Sequence, residues 1–154
     1  MAYYNVIQLT REPAGYDERL SGFAVASDPL FQMRFDWGGD PVEDRNKALA
    51  FLKGAVSAIA DIDTEKLTFT FKDKDTVKEA YSRHLVRATR EHVARLAEDK
   101  ESYHEYHKAV EDTCGIHDLF HADYLMTASK LVTEYLSGWL PQTMYIGDIL
   151  KAHC

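Results

Sequence analysis

Between His104 and His121 the chain reads HEYHKAVEDTCGIHDLFH, which holds four of its seven histidines and one of its two cysteines. Imidazole and thiolate are zinc-ligand types. Two helices hinged at Gly115 would turn about 100° per residue. On the first, His107 and Cys114 share an arc with Tyr103, Tyr106 and Val110, with His104 at its edge. On the second, His117 and His121 fall on the apolar face with Phe120, Tyr124, Ala128, Leu131, Val132, Tyr135 and Trp139. The four inward ligands His107, Cys114, His117 and His121 would form a closed structural zinc site. The competing reading is packing, with each inward imidazole bonded to a carbonyl or carboxylate. An earlier helix has the same habit, since His84 and His92 fall beside Tyr81, Leu85 and Ala88. The spacing Cys-x2-His-x3-His matches no standard finger. Buried imidazoles have lowered pKa values, so acid is expected to destabilise the fold.

A second set is carboxylate. Asp36, Asp40, Glu43 and Asp44 cluster where a strand gives way to a helix, and Asp73 and Asp75 follow a later strand. A strand–helix–strand crossover makes its two strands parallel and brings their C-terminal ends to one margin of the sheet. The six acids then have three readings. They are helix caps facing the positive end of the dipole, a Mg²⁺ or Mn²⁺ site for phosphodiester hydrolysis, or an acidic rim that docks a basic partner.

The third set is basic. Arg83, Arg87 and Arg90 form a stripe on the outer face of the long helix. Such a stripe is either a solvated face with intrahelical ion pairs or a contact for phosphate or an acidic partner. The sequence contains no Gly-x-Ser-x-Gly or Cys-x-x-Cys motif, and Gly38-Gly39-Asp40-Pro41 lacks the Lys-Ser/Thr of a phosphate loop.

These residues depend on the elements that carry them. Alternation predicts strands over Tyr3–Thr10, Leu20–Ser27 and Leu30–Trp37, joined as an antiparallel meander, and a fourth over Lys66–Lys72 with Leu67, Phe69 and Phe71 inward. Asp40, Pro41 and Glu43 start a helix along which Val42, Leu49, Leu52, Val56 and Ile59 recur at helical spacing. Thr76 with Glu79 opens a helix to about Glu98, and Ser102 with Glu105 opens one to Gly115. A further helix is expected over Ile116–Ser137, and a short final one in TMYIGDILKAHC. The expectation is one α+β domain over 1–154. A mostly antiparallel sheet of about four strands, in the order β-β-β-α-β-α, packs on helices, with sheet and first helix in 3–72 and a helical half in 76–154 that ends in a helical hairpin. The order of the first elements is similar to the ribonuclease H-like fold. That resemblance implies metal-binding acids on the first strand, on the first helix (Glu43 or Asp44) and after the fourth strand (Asp73); the first strand, YYNVIQLT, has none.

Composition narrows the function. Of 154 residues, 45% are apolar and 28% charged, as in a folded domain. No apolar run reaches the ~18–20 residues of a membrane span. The start, MAYYNVIQLTREP, lacks signal-peptide features, and two cysteines build no disulfide framework, so a reducing cytoplasmic setting is expected. A net charge of −7 argues against non-specific nucleic-acid binding. Nine tyrosines suit interfaces and core rims alike. The leading expectation is a non-catalytic regulator or inhibitor that docks on a basic protein or nucleoprotein through an acidic and aromatic surface and carries no cofactor. The alternatives are a metal-dependent phosphodiesterase and a structural zinc protein.

Overall fold

A computed structural model of the chain describes residues 3–13, 34–35, 41–106, 116 and 118–153. The elements are β1 (Tyr3–Thr10), β2 (Arg34–Phe35), α1 (Pro41–Ala55), β3 (Ala60–Asp63), β4 (Thr68–Phe71), α2 (Lys74–Ala97), β5 (Leu119–Ala122), β6 (Tyr124–Met126), α3 (Ala128–Leu136) and β7 (Thr143–His153). They form a mixed α+β fold on a single sheet ordered β3-β4-β7-β1-β5-β6, with β2 also paired to β7.

The centre of the sheet joins the two ends of the chain. β1 pairs in parallel with β5 on one edge and antiparallel with β7 on the other. An N-terminal meander around β1 is therefore overturned, since both neighbours of β1 come from the C-terminal half. The ribonuclease H-like order and the helical half over 76–154 fall with it. The tail expected to be helical is instead an eleven-residue strand. Its leucine, lysine and alanine suit a helix, but pairing to β1 along one edge, and to β4 and β2 along the other, satisfies its backbone.

The expected helix over Ile116–Ser137 is divided in the same way. Leu119–Ala122 and Tyr124–Met126 make a tight hairpin around Asp123, whose φ of 70° is a left-handed turn that aspartate tolerates. Thr127 then caps α3 by accepting the Lys130 amide at 3.3 Å. One more strand, β3, lies where the sequence reads as the tail of α1. It closes on β4 through a turn in which Asp63 Oδ1 accepts the amides of Glu65 and Lys66, each at 3.0 Å.

Other expectations hold. α2 ends at Ala97 with Glu98 as its cap. Phe69 and Phe71 are fully buried, as the alternation of β4 requires. The core lies on one face of the sheet, where Ile7, Phe69, Phe71, Phe120, Met144 and Ile146 meet Leu49 and Leu52 of α1, Val77 of α2 and Leu131, Val132 and Tyr135 of α3. Each such side chain contributes about 1.5–3 kcal/mol by leaving water. Phe71 stacks on Tyr135 at 4.1 Å and 5°, and the Tyr135 hydroxyl donates to the Lys72 carbonyl at 2.9 Å.

A β-bulge interrupts the central pairing. Ile7 faces Ile149 and Leu9 faces Ile146, so Gly147 and Asp148 together oppose Gln8 alone. The buried Gln8 side chain fills the gap, and its Oε1 accepts the Asp148 amide at 2.9 Å. A Cβ on Gly147 would stand 2.1 Å from that oxygen, so only glycine leaves room for it.

Candidate functional site

Over its 24 residues α2 buries only Val77 and Ala88. The side facing the protein carries partly buried Tyr81, His84, Leu85, His92 and Leu96. The opposite side brings Arg83, Arg87 and Arg90 together along an open groove of about 620 Å³ that is also lined by Val86, Glu79 and Glu91. Arg83 Nη2 pairs with Glu79 Oε1 at 2.6 Å, one turn away on the exposed surface. The guanidinium groups of Arg87 and Arg90 make no hydrogen bond or ion pair among the described residues. Val86 is 50% exposed and Val93 48%. Two valines seven residues apart lie in one helical stripe, and here that stripe runs among the arginines. The stripe expected from sequence is thus one surface. The exposed valines were the part that sequence reasoning missed, although their spacing from Arg83 and Arg90 was the available signal.

The inner side of α2 is held by a fold-back. Asp99, at φ 55°, turns the chain after the helix, and the Lys100 amide donates to the Arg95 carbonyl. Glu101 then returns to His92, with its two carboxylate oxygens 2.6 and 2.7 Å from Nδ1. The Glu101 side chain is only 6% exposed. The expected capping box follows, as the Glu105 amide donates to Ser102 Oγ and the Ser102 amide donates to Glu105 Oε2. His92 is therefore an imidazole that pairs with a carboxylate on an inner face. His84 is on the same side with its Nε2 buried and without a hydrogen-bond partner among the described residues. Burial first, and the charge of Arg87 second, hold the His84 pKa below its ordinary value.

The zinc quartet is not a feature of two helices. His121 is on β5, paired between Gln8 and Leu125, so an i, i+4 helical pair with His117 does not exist. His107, Cys114 and His117 lie outside the described residues. Among the described residues no three His, Cys, Asp or Glu side chains converge.

The acidic rim divides too. β2 and β4 both run antiparallel to β7, hence parallel to each other, but they lie end to end on one edge of β7 and not side by side. Phe35 faces Ala152 and Thr70 faces Thr143, which is about 30 Å along the strand. Asp36 and Asp40 fall outside the described residues, and of Asp44 only the helical backbone is described. Glu43 pairs with Lys47 at 2.7 Å. Asp73, not Thr76, caps α2. It accepts the Thr76 hydroxyl at 2.7 Å and the Thr76 amide at 2.9 Å, and these bonds lower its pKa. Asp75 is in the first turn beside it.

Two aromatics assigned to a helix face are on the surface. Trp139 follows α3 and is 71% exposed, and its carbonyl accepts from Arg11 Nη2 at 2.9 Å. Tyr124 is 43% exposed and donates to Glu134 at 3.1 Å.

Comparison of the chain with protein-family models, curated proteins and solved structures found no match. Among the described residues no helix is long and apolar enough to cross a membrane.

Proposed function

We infer that the protein is a non-catalytic binding protein, a regulator or inhibitor that docks on another protein through the outer face of α2. The observation that carries this reading is the combination of two guanidinium groups, Arg87 and Arg90, that have no partner among the described residues, with two half-exposed valines on a single helix face. The exposed half of each valine contributes nothing to folding, whereas a partner that covers it gains its transfer energy. The guanidinium groups select acidic side chains on that partner. A protein segment fits better than nucleic acid, because a phosphate backbone offers nothing apolar to Val86 and Val93 and the chain carries a net charge of −7. The acidic rim supports docking less well, since Glu43 and Asp73 are engaged within their own helices.

The test is a photo-crosslinking residue placed at Val86, with the exposed Ser57 as control, in the cells that produce the protein. The reading expects one stoichiometric protein crosslinked from Val86 only. An Arg87→Glu/Arg90→Glu variant loses it, and reversal of an acid on the captured protein restores it. A folded reversal variant that retains the partner at full strength overturns the reading.

A further inference from the structure

A second concave site borders the β4–β7 pairing. A cleft of about 230 Å³ is lined by Arg45 of α1, Lys66 and Leu67 of the turn into β4, and Tyr145, Gly147 and Asp148 of β7. Among the described residues, the Arg45 guanidinium, the Lys66 ammonium, the Asp148 carboxylate and the Tyr145 hydroxyl form no hydrogen bond or ion pair. The Lys66 charge also acts on Asp63 in the adjoining turn, where it helps to lower that carboxyl's pKa. Two cationic residues and one acidic residue therefore border a single small space.

The backbone around the cleft is irregular where it sets these groups. In regular alternation after Met144 and Ile146, residue 148 would turn toward the core. The bulge shifts the phase, so that Ile149 packs against the core and Asp148 lines the cleft. Gln8 fixes the displaced strand from behind through the Asp148 amide, which leaves the carboxylate unconstrained by the fold. Leu67 adopts a φ of 53°, in the left-handed region that a branched side chain enters at a cost. Its carbonyl accepts the Ile146 amide at 2.8 Å, closing the floor of the cleft. A bulge, a buried amide lock and a left-handed leucine converge on one cavity. Strained and irregular backbone concentrates at binding sites.

We propose that this cleft binds a small zwitterion with one ammonium and two acid groups, the class of the acidic amino acids. The ammonium takes Asp148, the two carboxylates take Arg45 and Lys66, and the Tyr145 hydroxyl adds a donor. Charge sets the class, because a single carboxylate opposite two cations complements a ligand of net charge −1. Size agrees, since the cavity equals about eight waters of liquid volume, and bonded atoms pack closer than waters. The site is independent of the α2 face, which shares none of these residues.

Isothermal titration with L-glutamate and L-aspartate tests it, with glutarate, which lacks the ammonium, and inorganic phosphate as comparison ligands. One site per chain for an amino acid is expected, with glutarate and phosphate weaker by about tenfold or more, the worth of one charge-assisted hydrogen bond. Asp148→Asn should abolish the preference for glutamate over glutarate, and Arg45→Met should weaken both. Neither change removes a bond that holds the fold, because Gln8 bonds the Asp148 backbone and not its side chain; a thermal melt verifies this. No binding to the folded wild type at millimolar amino acid overturns the proposal. So does equal binding of phosphate and glutamate, or an Asp148→Asn variant that still prefers glutamate.

Discussion

The helices α3 and α2 solve opposite problems. α3 is nine residues long and buries Ala128, Ser129, Leu131, Val132 and Tyr135, more than half of its length. α2 is 24 residues long and buries two. A helix of about two and a half turns is marginal alone and persists because one face is packed. α2 is held at its start by the Asp73 cap and Val77, and at its far end by the Glu101–His92 pair, with a long solvent-facing side between. The difference separates fold from surface. Substitution on α3 is felt by the whole domain, whereas substitution on the outer face of α2 is felt by whatever binds there.

That contrast is open to direct attack. Leu131→Ala should cost about 2–5 kcal/mol by chemical denaturation, through lost transfer energy and the cavity left behind; a cost under about 1 kcal/mol would mean that α3 is not the packed member of the pair. Tyr135→Phe keeps the ring stack on Phe71 but leaves the Lys72 carbonyl without its donor, for about 1–2 kcal/mol. Thr127→Ala removes the α3 cap and should cost about 1 kcal/mol, read as a shift in the urea midpoint without a change of slope.

On the inner side of α2 the expected effect is a pH dependence. Burial and Arg87 disfavour protonation of His84 in the folded state. The unfolded chain takes up that proton as pH falls through about 6.5. The unfolded state then binds more protons, so this contribution to stability is constant above that range and declines on acidification toward pH 5. The melting temperature of wild type should therefore fall relative to that of His84→Leu as pH drops from 7 to 5. Parallel profiles would show that His84 does not titrate differently on folding. The smallest expected effect is on the outer face. Val86→Ser and Val93→Ser should each change stability by no more than about 0.5 kcal/mol while reducing capture of the docking partner.

Much of this was legible from local pattern. The span of α2, the inward phenylalanines of β4, the start of α1 at Pro41 and the capping box at Ser102 all follow from propensity, period and side-chain chemistry within a few residues. The arginine stripe was legible for the same reason, as helical phase alone determines it. The elements that misled are those whose backbone partners are remote. LFHA and TMYIGDILKAH have residues acceptable to either helix or strand, and pairing with β1, more than a hundred positions away, decided for strand.

The cleft at Asp148 had no sequence signal. No motif links Gln8, Arg45, Lys66 and Asp148, and a one-residue shift of register would turn Asp148 to the other face. By itself the sequence determined which segments are amphipathic and where helices begin, because those depend on interactions a turn or less apart. Only the tertiary structure decided which charges meet, because a sheet that closes the first strand against the last places residues by pairing and not by distance along the chain.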